Sequence, residues 1–209
     1  MVALCTTTIF TSCRNDDDDN GNGRNAATIN AISVTGTTTG FATVRAIIWN
    51  DDDDETDNYS MVLAEVPFQN GGFTLQLPSP PNNFLRPYFT DGNIPAGFTI
   101  SDNTVRMIWN IVFKAYNSAG NEIGLLYFAD WSWADNNDER PNVANSAHWI
   151  YADGDVTITG DSHNSVMRWN LRRGWNIVYW QTTRTTAGYT TAITSQRPTD
   201  ANLSWRAAR

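Results

Sequence analysis

The residues of this sequence best suited to chemistry are acidic and aromatic side chains that lie close together in the second half of the chain. Trp131 and Trp133 are two positions apart, so on a β-strand both rings face the same side at a spacing of roughly 7 Å. Flat rings stack on sugar rings, and neighbouring carboxylates and amides could hydrogen-bond sugar hydroxyls. The segment therefore predicts a glycan-binding platform formed by Trp131, Trp133, Asp130, Asp135 and Asn136.

The same segment admits two other interpretations. A glycosidase also uses carboxylates beside an aromatic cleft, provided that two of them stand at a fixed separation. The chain offers four such groups around the two tryptophans: Asp130, Asp135, Asp138 and Glu139. Aromatic rings also fill wide β-sandwich cores, and we favour a core position for Trp131 and Trp133 over an exposed one. Carbohydrate binding and carbohydrate hydrolysis both stay open as alternatives for this region.

Other kinds of catalytic site are not indicated by the sequence. The two histidines, His148 and His163, lack a metal-ligand spacing such as His-x-x-x-His. We interpret them as a strand residue and a turn residue. The sequence contains no Gly-x-Ser-x-Gly elbow, phosphate-binding loop or dinucleotide fingerprint. It therefore predicts no catalytic residue and no cofactor, and it favours a non-catalytic protein without deciding the question.

An acidic run, residues 51–57, is the other candidate for ion chemistry. Clustered oxygen ligands in a loop suit Ca²⁺, which makes Asp51, Asp53 and Asp54 weak calcium candidates. Consecutive aspartates point in alternating directions, however, so few of them can converge on one ion. We therefore interpret the run as a solvated loop and predict no metal site.

Composition limits the classes of fold and partner. Aromatic residues make up 12% of the chain, nine of them tryptophan, while only 17% of residues are charged. This mixture favours strands over a helical bundle, which needs far more Glu, Lys and Leu. The formal net charge of −8 provides no basic surface for a nucleic acid, so we predict that nucleic acid is not a partner.

The beginning of the chain is typical of a secretion signal. Residues 2–10 are apolar or small, and Cys13 follows Phe10-Thr11-Ser12, which resembles the lipobox of bacterial lipoproteins. Leu is more usual than Phe at that point of the lipobox, and a basic region before the apolar stretch is missing, so we expect translation to start upstream of Met1. Four aspartates soon after Cys13 predict a solvated tether rather than a buried strand.

This pattern predicts a lipid anchor at Cys13 and an extracytoplasmic location, at the outer membrane or cell surface. We divide the chain into a signal peptide with a lipobox (1–13), an acidic Gly/Asn-rich tether (14–27) and a β-domain (28–209). The only cysteines are Cys5 and Cys13, so the domain must be stable without a disulfide.

Residues 28–209 carry strand patterns separated by turn residues, with no sustained helical period. About a dozen short strands predict an all-β fold, a predominantly antiparallel β-sandwich. Three hairpins are expected, at Asn70-Gly71-Gly72, at residues 117–121 and at Asp153-Gly154. Trp175 and Tyr179 are assigned to the core. A proline-rich stretch near 78–97 leaves two stacked subdomains open, although we favour one compact unit.

Three segments carry a resemblance to a known group of proteins. Residues 70–78 (NGGFTLQLP), 151–160 (YADGDVTITG) and 171–179 (LRRGWNIVY), together with the lipobox and the acidic residues after it, resemble secreted Bacteroidetes surface lipoproteins of unassigned function. The resemblance implies a surface location and a β-sandwich, and it brings no catalytic residues. We therefore expect a cell-envelope lipoprotein that serves as a surface binding, structural or adhesion module, with a glycan or a protein as its ligand.

Overall fold

The computed structural model describes residues 26–49, 60–89, 93–109, 111–131, 141–162, 164–186 and 188–208. Several predicted site residues lie outside these ranges, namely Cys13, Asp51, Asp53, Asp54, Trp133, Asp135 and Asn136. Among the described residues, no helix is long and apolar enough to span a membrane.

The described residues form sixteen strands and one 3₁₀ turn, Asn82–Phe84. The first eight strands are β1 Ala27–Ala31, β2 Thr35–Gly36, β3 Thr43–Ile48, β4 Met61–Pro67, β5 Phe73–Leu77, β6 Arg86–Pro87, β7 Phe98–Ile100 and β8 Arg106–Ile108. The other eight are β9 Ile111–Tyr116, β10 Glu122–Ala129, β11 Val143–Ala152, β12 Val156–Ser162, β13 Ser165–Leu171, β14 Gly174–Thr185, β15 Gly188–Thr194 and β16 Ser204–Ala208.

Fourteen strands form one large sheet, and β1 pairs with β5 in a second, two-stranded sheet. The main path of the large sheet is β4-β3-β9-β10-β11-β14-β15-β13-β12-β7, with β16, β2, β8 and β6 attached beside it. Pairing is antiparallel except between β13 and β15 and between β16 and β2. The predicted fold class, an all-β and predominantly antiparallel sandwich, is confirmed.

One of the three predicted hairpins is confirmed. Strands β9 and β10 pair antiparallel with a bulge between Glu122 and Gly124. The connecting turn is closed by a backbone hydrogen bond from the Asn117 N–H to the Asn121 carbonyl, 3.0 Å long. Residues 117–121 therefore form the hairpin turn that their sequence predicted.

At Asn70-Gly71-Gly72 the predicted tight turn is present, but the predicted pairing of the two strands that flank it is wrong. Gln69 and Gly72 exchange backbone hydrogen bonds of 2.9 Å, and Asn70 and Gly71 have φ values of 53° and 75°, as a type I′ turn requires. The strands then separate: β4 pairs with β3, whereas β5 pairs with β1 in the other sheet. At Gly72, a Cβ atom would lie 2.0 Å from the Ala31 carbonyl oxygen, so this close approach between β5 and β1 requires glycine.

The predicted hairpin at Asp153-Gly154 is also wrong. Strand β11 pairs along its whole length with β14, and β12 pairs with β13. The Asp153 carboxylate accepts hydrogen bonds from the Arg106 backbone N–H and guanidinium, both 2.8 Å long, and the Asp153 N–H donates to the Arg106 carbonyl. These contacts tie the end of β11 to β8, so the chain leaves β11 without folding back on it.

Apolar side chains form three clusters on the two sides of the large sheet. Cluster 1 lies between the β1–β5 sheet and the large sheet, and it contains the stacked rings of Trp149 and Trp205, 5.4 Å apart. Cluster 2 lies on the opposite face of β11 and β14, where β12 and β13 cover it. A small third cluster packs the chain before β16 against Ala147. The strand pair β11–β14 thus has apolar packing on both faces.

Candidate functional site

Alternation along β11 and β14 separates two sets of side chains. Residues directly opposite each other on paired strands share a face, and side chains two positions apart on one strand do so as well. Trp149, Tyr151 and Trp175 therefore face cluster 1, whereas Ile150 and Val178 face cluster 2. The second face continues past Ile150 and Val178 toward the other end of the strand pair, where Ala144 is buried and the other side chains are half-buried or exposed.

Three strands carry aromatic rings on this second face. His148 lies on β11, Trp180 lies on β14 opposite Ser146, and Tyr127 lies on β10 two positions from Ala129, which is also opposite Ser146. The Trp131 ring lies 6.0 Å from that of Tyr127, with 40° between the planes.

Strand β15 extends the same face. Thr191 is opposite Thr182, and Tyr189 is opposite Arg184, so Tyr189 shares the face of Trp180. We call the set Tyr127, Trp131, His148, Trp180 and Tyr189 the aromatic face. Trp180 is 40% exposed and Tyr189 is 46% exposed, while the other three are half-buried.

His148 supports the exposed tryptophan. Its ring centroid is 4.9 Å from that of Trp180, with 37° between the planes. Its Nε2 atom is 3.0 Å from the Ser146 hydroxyl oxygen. Burial lowers the pKa of His148 to about 4, because a charged imidazolium is disfavoured away from water. The ring is therefore neutral at pH 7, and it contacts the indole as an uncharged aromatic group.

Hydroxyl groups accompany the rings. The side-chain oxygens of Thr182 and Thr191 are 3.4 Å apart across β14 and β15, and both residues are half-buried. Ser146 is directly opposite Trp180 on β11. The exposed indole thus has hydroxyls on two sides, each able to donate or accept a hydrogen bond.

The carboxylate of Asp130 is engaged in a structural contact. Its two oxygens accept hydrogen bonds from the Asn145 backbone N–H (2.8 Å) and side-chain amide (2.6 Å). Asn145 is 3% exposed, and its side-chain oxygen accepts from the Gln181 amide at 3.1 Å. The Asp130 carbonyl also accepts from Arg206 at 3.3 Å. Asp130 therefore ties the end of β10 to β11, and this contact satisfies the buried amide of Asn145.

The remaining predicted residues have mixed outcomes. Trp131 is half-buried and lies beside Tyr127, so the expected core position is not observed. Trp175 is buried in cluster 1, as predicted, whereas Tyr179 is half-buried beside the third cluster. Trp133, Asp135 and Asn136 lie outside the described residues.

Charged side chains on the adjoining strands of this face form pairs. Arg45 contacts Glu65 and lies over the Tyr116 ring, 4.1 Å from its centroid. The Lys114 ammonium is 2.9 Å from a Glu122 oxygen and 4.5 Å from the centroid of the Trp49 ring. Trp49, 41% exposed, thus lies against a paired cation.

Sequence reasoning missed most of the aromatic face. Tyr127, His148, Trp180 and Tyr189 were not proposed as ligand-binding residues, although one signal was available. Trp180 directly follows Tyr179, which was assigned to the core, so strand alternation already places Trp180 on the opposite face. The contact between His148 and Trp180 depends on the β11–β14 register, which no local pattern reveals.

Within the described part of the chain, no three His, Cys, Asp or Glu side chains group as a metal site would require; the weak calcium candidates Asp51, Asp53 and Asp54 lie outside it. Comparisons of the chain with family models, with curated proteins and with solved structures give no match.

Proposed function

We propose that this chain is a non-catalytic binding module of the cell envelope that holds a glycan on its aromatic face. The observation that carries the proposal is that rings from β10, β11 and β14 lie on one side of the sheet, next to cluster 2. Exposed aromatic groupings of this kind commonly mark interaction sites. Hydroxyls beside the rings supply the polar partners that sugar hydroxyls need.

A non-catalytic role agrees with the state of the carboxylate at this site. Asp130 is the described member of the acidic group that hydrolysis would use, and both of its oxygens accept hydrogen bonds from Asn145. A glycosidase needs two carboxylates facing a sugar across a cleft. The contacts of Asp130 favour a structural role, and they support binding over hydrolysis.

The location of the module rests on its sequence. We place it at the outer membrane or cell surface, held by lipid on Cys13, with the acidic tether between the anchor and the domain. The resemblance to Bacteroidetes surface lipoproteins supports the same location. A glycan at that surface is then within reach of the aromatic face.

The anchor is tested by labelling cells with an alkyne fatty acid while they express the gene. The protein should take up label and lose it in Cys13→Ala, whereas the matched control Cys5→Ala should keep it. Label that persists in Cys13→Ala would rule out the anchor.

Glycan binding is tested by incubating the purified full chain on a glycan array. We expect a restricted set of glycans to be retained. Silence across neutral and anionic glycans alike would reject the glycan ligand, and would leave a protein ligand or a structural role. Release of reducing sugar from any retained polysaccharide would reject the non-catalytic assignment.

A further inference from the structure

We infer that Trp180 is the stacking platform of the site and that it receives a neutral pyranose, whose hydroxyls bind Thr182 and Thr191 on one side and Ser146 on the other. This inference rests on the proposed function and adds the position and chemical class of the ligand. It is carried by the surroundings of one exposed indole, which differ from those of Trp49, the other exposed tryptophan among the described residues.

The indole of Trp180 is held in place by its neighbours. Its cross-strand partners are Ser146 and Ile193, and Ile193 packs against cluster 2. The His148 ring contacts it at 4.9 Å, and the neighbouring position on this face of β14 is the fully buried Val178. A ring fixed in this way loses little conformational entropy when a ligand stacks on it, which favours binding.

The polar groups next to this ring are hydroxyls. Thr182 is two positions from Trp180 on the same face, about 7 Å along the strand, and its oxygen lies 3.4 Å from that of Thr191. On the other side, the Ser146 hydroxyl lies 3.0 Å from Nε2 of His148. A pyranose stacked on the indole would place its ring hydroxyls toward both sets, and each hydroxyl can donate and accept.

The charges near Trp180 point to an uncharged ligand. His148 contacts the indole as a neutral ring. Arg206, opposite Tyr127 on β16, donates to the Ala129 and Asp130 carbonyls at 3.0 and 3.3 Å. Arg184 is exposed and lies four positions along β14 from Trp180, roughly 13 Å away along the backbone. Among the described residues, the indole is surrounded by hydroxyls and an uncharged imidazole, which favours a neutral sugar ring.

The test measures binding of the full chain to soluble neutral polysaccharides (a β-glucan, a xylan and a mannan) and to anionic polygalacturonate, at 50 and 500 mM NaCl. Trp180→Ala is compared with Trp49→Ala, a matched control in which an equally exposed indole is removed from the same sheet. Thr182→Val removes one hydroxyl while keeping the side-chain shape. Circular dichroism and a thermal melt verify that each variant is folded.

We expect a neutral polysaccharide to bind equally well at both salt concentrations. Trp180→Ala should weaken its affinity at least about tenfold and Thr182→Val about fivefold, as the loss of a stacking contact and of a single hydrogen bond predicts. Trp49→Ala should bind like the unmodified chain.

Failure of the proposed function and failure of this inference give different results. If neither neutral nor anionic polysaccharide binds the unmodified chain, the proposed function fails and the inference fails with it. If polygalacturonate alone binds, if affinity falls steeply with salt, or if Trp180→Ala binds normally, this inference is overturned while a glycan-binding function stands.

Discussion

The strand pair β11–β14 has one face with two different ends. At one end, Ile150 and Val178 are almost fully buried, and β12 and β13 pack over them. His148 is directly opposite Val178, and toward the other end Trp180 follows on the same face of β14, yet it is 40% exposed. The backbone pairing is continuous between the two ends. One pair of strands can therefore pack into a core at one end and present an open aromatic surface at the other, because β12 and β13 cover only part of its length.

The largest effect should come from the covered end. Ile150→Ala removes a side chain that is 2% exposed in cluster 2, so it should lower the free energy of unfolding by about 3 kcal/mol through lost burial and a cavity. Urea denaturation measures this. A loss under about 1 kcal/mol would mean that this end is not a packed core, and the contrast between the ends would fail.

Acid should lower the free energy of unfolding of the chain through protonation of His148. Its pKa is about 4 in the folded chain, below the ordinary value of roughly 6.5. The unfolded chain therefore binds the proton first as pH falls, and stability should decline between about pH 6.5 and 4, by up to about 3 kcal/mol.

The measurement is the pH dependence of urea unfolding in the unmodified chain and in His148→Phe. The carboxylates titrate in both proteins, so the difference between the curves isolates the imidazole. The variant should lose less stability on acidification. Parallel curves would show that His148 is not held in its neutral form, and its supporting role beside Trp180 would be withdrawn.

An intermediate effect is expected at the polar contact between β10 and β11. Asn145→Ala removes the side-chain hydrogen bonds that Asn145 forms with the Asp130 carboxylate and the Gln181 amide, while the backbone N–H of residue 145 still donates to Asp130. The free energy of unfolding should fall by about 2 kcal/mol, measured by urea denaturation. An unchanged stability would contradict the structural role of Asp130 and would make its carboxylate available again for a hydrolytic site.

The smallest effect on stability should come from Trp180→Ala. Because the indole is 40% exposed but packs beside His148 and Ile193, the change should lower the free energy of unfolding by about 1 kcal/mol, as thermal and urea unfolding would show. A loss comparable to that of Ile150→Ala would mean that both ends of the face contribute equally to stability, which would contradict the contrast between them.

The sequence predicted the class of fold because alternation and turn residues are local signals. The 73–77 segment shows this: its buried and exposed positions alternate as predicted. Strand partners were less predictable, because they depend on contacts between distant residues. Asp153-Gly154 has the composition of a hairpin turn, but hydrogen bonds to Arg106 direct the chain elsewhere.

The site was predictable only in part, for the same reason. Trp131 was identified from its spacing and its acidic neighbours, and the rings that accompany it come from other strands. His148 and Trp180 meet because β11 and β14 pair in one particular register. Nothing within either segment indicates that register, so the exposed indole could be inferred from alternation, but its partner could not.

The most direct test of the account follows the side-chain N–H signals of the nine tryptophans by NMR while a retained neutral polysaccharide is added. The open end of the face should respond, with shifts at Trp180 and smaller shifts at Trp131. The buried rings of Trp149, Trp175 and Trp205, and the exposed ring of Trp49, should keep their positions. Shifts at Trp49 without any at Trp180 would contradict the claim that the open end of the β11–β14 face is the binding surface.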